Sequence, residues 1–159
     1  MTLHIYLEGR NDRCVKSANK ETVVYYIRAP YKVSSTPPKE VYRGRPDQAP
    51  HIATITGDGG RCVLEFPGLV EVIVNPPAGG IFNTKSTFTV NGKEYAWKSD
   101  AELREVELGA LLAKFDRKIF STAKKGVLTI SSAGFEMVDI VVLTGIAMQY
   151  QWEQMRDSH

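Results

Sequence analysis

Several things are scarce or missing in this 159-residue chain, and each absence narrows what it can be. There are two cysteines, Cys14 and Cys62, too few for a disulfide framework and too far apart for a metal motif. Zinc sites need ligands paired on one turn or hairpin, and no Cys-x-x-Cys, His-x-His or His-Glu-x-x-His occurs. No metal and no other cofactor is expected. The Gly-x-Ser-x-Gly elbow of a serine hydrolase is absent, as is the Gly-Lys-Ser/Thr that ends a phosphate-binding loop. Neither sign of charge dominates: 20 Lys and Arg stand against 18 Asp and Glu, for a formal charge of +2. Nucleic-acid binding calls for a concentrated basic stripe, so that partner is not expected. Met1-Thr-Leu-His-Ile-Tyr-Leu-Glu8 lacks the basic lead and apolar length of a signal peptide. No Asn-x-Ser/Thr acceptor is present. A reducing, cytoplasmic setting is the expectation, with peripheral membrane contact left open.

Against this background one long apolar run stands out, Phe135 to Met155. Between Met137 and Met148 only Asp139, Thr144 and Gly145 interrupt it, leaving no polar face. A helix that is apolar all round is a buried helix. Val138-Asp-Ile-Val-Val-Leu-Thr144 alone could be a strand, since β-branched residues favour extended chain. Length decides for a helix, because some twenty residues without proline exceed an ordinary strand. A bilayer span needs about 20 predominantly apolar residues. Here the apolar part stops near Met148 and already contains Asp139, so a protein core is the expected environment.

Everything before that run reads as short strands. Leu3 to Leu7 alternates with the β period, and Thr22-Val-Val-Tyr-Tyr-Ile-Arg28 is the strongest β segment of the first third. Glu8 to Arg13 reads as a polar turn. Residues 32–50 are rich in proline and predict a surface loop, with a short edge strand near Val41 and Tyr42. Gly57-Asp-Gly-Gly60 predicts one hairpin between His51–Thr56 and Arg61–Phe66. Asn91-Gly92 predicts a second, with a type I′ turn between Ser86–Val90 and Lys93–Trp97. Ala101 to Leu108 leans to strand, Leu111–Phe115 and Arg117–Phe120 to a strand pair or kinked strand, and Gly126 to Ile130 to another strand. The fold class that follows is mostly β: one domain, a closed antiparallel barrel enclosing a C-terminal apolar helix at about 135–155.

Phe88-Thr-Val-Asn-Gly-Lys-Glu-Tyr-Ala-Trp-Lys98 resembles the F-x-x-x-G-x-x-Y-x-W-K segment of a fungal family of uncharacterised proteins allied to the tubby C-terminal and phospholipid-scramblase-like group. Leu112–Phe115, Gly126–Ile130 and Val138–Thr144 follow in the same order as in that family. The resemblance implies a barrel threaded by its C-terminal helix. It also implies a surface that meets anionic lipid, as tubby proteins bind phosphoinositides through basic residues on the barrel. No Lys/Arg cluster of this chain can be matched to that site position by position.

Two groups of residues are candidates for function. Asp139 is a carboxylate in an apolar helix, expensive unless paired, and lies near the positive end of the helix dipole. Its plainer role is to reach solvent or backbone amides and fix the helix, and its sharper one is a buried acid acting on a ligand. Arg117, Lys118, Lys124 and Lys125 crowd two adjoining turns and could hold a phosphate or an anionic head group. Their plainer reading is a solvated face, because nearby acids nearly balance them. The expectation is a non-catalytic binding module for an anionic lipid or a small apolar ligand. The alternatives are a small enzyme using Asp139, a Tyr or a His at the barrel mouth, and an interaction scaffold using the 32–50 loop.

Overall fold

A computed structural model describes residues 1–9, 11–29, 38–58, 60–69, 71–77, 85–98, 100–118 and 123–157, without the side chains of 58 and 154–157. The described residues form twelve strands: β1 (Thr2–Glu8), β2 (Asp12–Lys16), β3 (Val23–Arg28), β4 (Lys39–Tyr42), β5 (His51–Asp58), β6 (Arg61–Glu65), β7 (Val72–Val74), β8 (Ser86–Val90), β9 (Lys93–Trp97), β10 (Glu102–Glu105), β11 (Leu111–Arg117) and β12 (Lys124–Ile130). A 3-10 turn at Ser132–Met137 leads into the helix α1, Val138–Asp157.

Each strand pairs antiparallel with its neighbour in sequence, and β1 pairs with β12, so one sheet runs from β7 through β1 and β12 to β8. The two ends of that sheet touch at one bridge. Asn75 and Thr87 exchange backbone hydrogen bonds of 2.8 and 3.3 Å there. The result is a nearly closed, up-and-down antiparallel barrel, in which edges are removed by closure. The Asn91-Gly92 turn has positive φ at both residues, 51° and 77°, as a type I′ hairpin requires. Phe88 and Tyr95 face each other across it with stacked rings 5.4 Å apart.

Two strand assignments differ from the sequence reading. The segment near Val41 is not an edge strand, because β4 pairs with both β3 and β5 and Val41 is fully buried. The prolines that suggested an edge flank the strand instead of occupying it. The polar turn expected at Glu8 to Arg13 ends sooner, since β2 begins at Asp12. Its Asp-Arg-Cys-Val-Lys shows no clean alternation, because its inward positions carry a buried arginine as well as Val15. Residues 32–37 of the expected surface loop, and Ile119 and Phe120 of the expected strand pair, lie outside the described residues.

The helix starts three residues later than the apolar run suggests, with Phe135 half exposed on the 3-10 turn. Every residue from Val141 to Gln149 is buried, as is Gln151. By length and composition alone 132–153 could cross a membrane, but here its central residues form the barrel core with Leu3, Ile27, Leu64, Trp97 and Leu128. The three interruptions of the apolar run each have a partner in the wall. Thr144 Oγ1 accepts the indole N–H of Trp97 at 3.0 Å and donates to the Val141 carbonyl at 3.2 Å. Gly145 lies against the same indole, where a Cβ would stand 3.2 Å from the ring. Asp139 binds the wall at the entrance. The chain turns from wall to interior at Gly134, whose missing Cβ would sit 2.8 Å from the Leu112 carbonyl oxygen.

The barrel therefore has two mouths. The helix enters at the one ringed by the β6–β7 and β8–β9 turns and leaves at the other, near the start of β2 and β12.

Candidate functional site

At the entrance mouth Asp139 stands in the first turn of α1, where the unpaired amides favour an anion. Arg43, just past the end of β4, clasps both its oxygens: Nη1 to Oδ1 at 3.1 Å and Nη2 to Oδ2 at 2.6 Å. The Tyr25 hydroxyl, from β3, donates a short hydrogen bond to Oδ1. Burial and then this carboxylate push the Tyr25 hydroxyl far above its ordinary 10.0. The bond to Asp139 raises the Arg43 guanidinium above its usual value. A carboxylate held by a bidentate arginine and a tyrosine is a clamp between helix and wall. It is poorly placed to give or take a proton.

Beside the clamp lies a cavity of about 490 Å³. Its apolar lining comes from Phe66, Leu69 and Val72 around the β6–β7 turn, Val90 at the β8–β9 hairpin, and Met137, Val138 and Ile140 at the head of the helix. Most of these side chains are half-buried and pack on the core from outside it. Thr89, Asn91, Glu71 and Glu136 supply the polar rim, with Asp139 at its edge. The volume lies in the range of small-molecule sites, and a mostly apolar lining with a few polar groups is their usual make-up.

The four basic residues expected to act together are divided by the barrel wall. A β-bulge does this. Ile5 pairs with Gly126 and Tyr6 with Lys124, leaving Lys125 as the extra residue. Strict alternation from the inward-facing Leu128 and Gly126 would send Lys125 outward. Instead Lys125 reaches Glu153 of the helix at 3.5 Å, and Lys124 lies on the outer face over the Tyr6 ring at 5.5 Å. There Lys124 Nζ donates to His4 Nδ1 at 2.9 Å, and His4 Nε2 faces the Ala18 carbonyl at 3.2 Å. Lys16 lies over the same tyrosine at 5.1 Å. Burial first, then Lys124, lowers the His4 imidazole below its usual value. Lys124 is lowered in turn by burial and by Lys20 and Lys118 nearby. Arg117 and Lys118 are exposed at the end of β11. The outer face thus gathers Lys16, Lys20, Lys118 and Lys124, of which the sequence reading named two.

At the exit mouth the helix meets a second set of polar groups. Gln151 staples the seam of the barrel: Nε2 donates to the carbonyls of Val74 at 2.8 Å and Gly60 at 3.2 Å, and Oε1 accepts from Ser86 at 2.9 Å. Arg13 Nη2 bonds Glu153 Oε2 at 3.1 Å. Arg13 and Lys39 both lie over the Tyr150 ring, at 5.0 and 4.7 Å from its centre. Among the described residues no three His, Cys, Asp or Glu side chains gather as metal ligands would.

What these features define is a meander barrel plugged by its own helix, with an apolar cavity of ligand size at one mouth. The chain belongs to the Family of unknown function (DUF6593), whose model matches residues 10–154. No curated protein and no solved structure matches it.

Sequence reasoning noticed Lys39 and Arg43 only as basic residues of the proline-rich loop, missed Tyr25 and Arg43 as partners of Asp139, and missed Arg13 and Tyr150 altogether. Arg13 alone left a trace, a cation in a segment whose neighbours Cys14 and Val15 are apolar. The others converge only through strand register and the position of the helix.

Proposed function

We propose that the chain is a non-catalytic binding module that seats a small apolar ligand in the entrance cavity. The observation that carries this is the 490 Å³ apolar cavity capped by half-buried side chains at the head of the core helix. Glu71 and Glu136 on its rim disfavour an anionic ligand there and suit an uncharged or cationic one. Binding without catalysis accords with Asp139, whose two oxygens are already engaged. The tubby-like reading of the barrel belongs to this proposal. A helix threaded through twelve antiparallel strands supports it, as does the F-x-x-x-G-x-x-Y-x-W-K hairpin. A cytoplasmic setting is part of the same proposal, and the free, buried Cys14 and Cys62 accord with it.

A second reading rests on the outer face, where the four lysines around Tyr6 and His4 would suit an anionic head group and bring the barrel to a membrane surface. One pair of titrations separates the two. Titration with the neutral probe N-phenyl-1-naphthylamine should give saturable one-to-one fluorescence enhancement. Val90→Glu, which places a charge in the cavity wall, should weaken it at least tenfold. Lys118→Ala/Lys124→Ala should leave it unchanged. Sedimentation with phosphoinositide vesicles that is salt-sensitive and lost only in the lysine variant would transfer the function to the outer face. Probe binding that is absent, or indifferent to Val90→Glu, would sink the cavity reading.

A further inference from the structure

Among the described side chains of the exit mouth, the cations outnumber the carboxylates bonded to them. Arg13 on β2, Lys39 on β4 and Lys125 at the bulge of β12 converge on the last turns of α1, where Glu153 is the one carboxylate among the described residues bonded to any of them. The Arg13 side chain is only 5% exposed. Burying a charge without a partner is strongly unfavourable, so interior cations are normally matched by anions. Among the described residues Lys39 has no carboxylate partner. The groups facing it are the Tyr150 ring, the Arg13 guanidinium and the Cys62 thiol. Burial and the Arg13 charge lower its pKa together.

The donors show the same shortage of acceptors. Arg13 Nε, Tyr150 Oη and Gln149 Nε2 are buried without a hydrogen-bond partner among the described residues. Gln149, Tyr150 and Glu153 share one side of the helix, being spaced i, i+1 and i+4. Two cations already flank the Tyr150 ring from different strands. Unmade bonds to buried donors are costly, and two of these three, on Arg13 and Tyr150, lie beside the Lys39 ammonium.

We propose that the exit mouth binds an oxyanion, a carboxylate or a phosphate, held by Arg13, Lys39 and the Tyr150 hydroxyl. The guanidinium offers its free Nε–H, the ammonium neutralises charge, and the phenol donates the third bond. Glu153 keeps Arg13 and Lys125 oriented and confines the anion to the Lys39 side. This site is separate from the entrance cavity and opposite to it in charge preference. It does not depend on the function proposed above.

The test is thermal unfolding of the whole chain, with sodium phosphate or sodium acetate compared with sodium chloride at matched ionic strength. Phosphate or acetate should raise the midpoint saturably, because a ligand that binds only the folded state stabilises it. Which of the two acts at lower concentration identifies the oxyanion. Lys39→Met should weaken the effect at least tenfold. Tyr150→Phe provides a check against simple loss of folding: its hydroxyl has no partner, so in chloride it should melt as the parent does, yet it should respond less to the oxyanion. Lys118→Met/Lys124→Met on the outer face should respond fully. A midpoint indifferent to both oxyanions overturns the proposal. So does a response that survives Lys39→Met and Tyr150→Phe, or one lost with the outer lysines.

Discussion

Trp97→Ala is expected to remove about 3–5 kcal/mol of stability, the range for deleting a buried tryptophan. The indole is fully buried on β9 and does two things at once. Its N–H is satisfied by Thr144 at 3.0 Å, and its ring fills the space that Gly145 leaves open on the helix. Alanine would leave a cavity between wall and helix beside Gly145. Natural domains are stable by only about 5–15 kcal/mol, so roughly a fifth or more of the total would go. Urea unfolding followed by far-ultraviolet circular dichroism measures this. Trp97→Phe should be milder, since a ring remains and only the hydrogen bond and part of the volume are lost. A shift below 1 kcal/mol in Trp97→Ala would mean that the indole is not the wedge described here.

Asp139→Ala is expected to destabilise by about 2 kcal/mol, chiefly by leaving the buried Tyr25 hydroxyl without an acceptor. The Arg43 pair adds less than its geometry suggests, because the arginine is half exposed and screened by solvent. If Asp139 is a clamp, Tyr25→Phe and Asp139→Ala should not add. The double variant should be about as stable as Asp139→Ala alone, a coupling of about 1 kcal/mol. A catalytic acid gives the opposite pattern. Its removal would leave stability unchanged or improved, because strained polar groups at active sites are held against the preference of the fold.

The architecture was legible because its signals are local or nearly so. The Asn91-Gly92 turn, the alternation in β1, β8 and β9, the β-rich run of β3 and the long apolar helix each follow from neighbours in sequence. The interruptions of the helix were also visible as exceptions, and each proves to be a contact point. What could not be read is everything set by register. Lys124 and Lys125 are adjacent in sequence and looked like one patch, but a single extra residue in β12 sends one outward and the other to Glu153. Arg13 and Lys39 belong to strands twenty-odd residues apart and meet only over the ring of Tyr150. The entrance cavity is made from two turns and the head of a helix, none of which carries a motif.

The helix is the core of the barrel, and both mouths are defined by where it enters and leaves. Cys62 reports on this directly. Its thiol lies inside the barrel, 3.8 Å from the Ala147 carbonyl, and burial pushes it up to about 11 from an ordinary 9.0. In a Cys14→Ser background, the rate at which a thiol reagent labels Cys62 at pH 8 should be followed across a urea series below the unfolding transition. If the helix is held in the core, labelling in buffer is slow. Its rate then rises with urea as steeply as global unfolding does, because only the unfolded chain exposes the thiol. Fast labelling that is indifferent to urea would mean the helix leaves the barrel by a local opening, and would contradict the account.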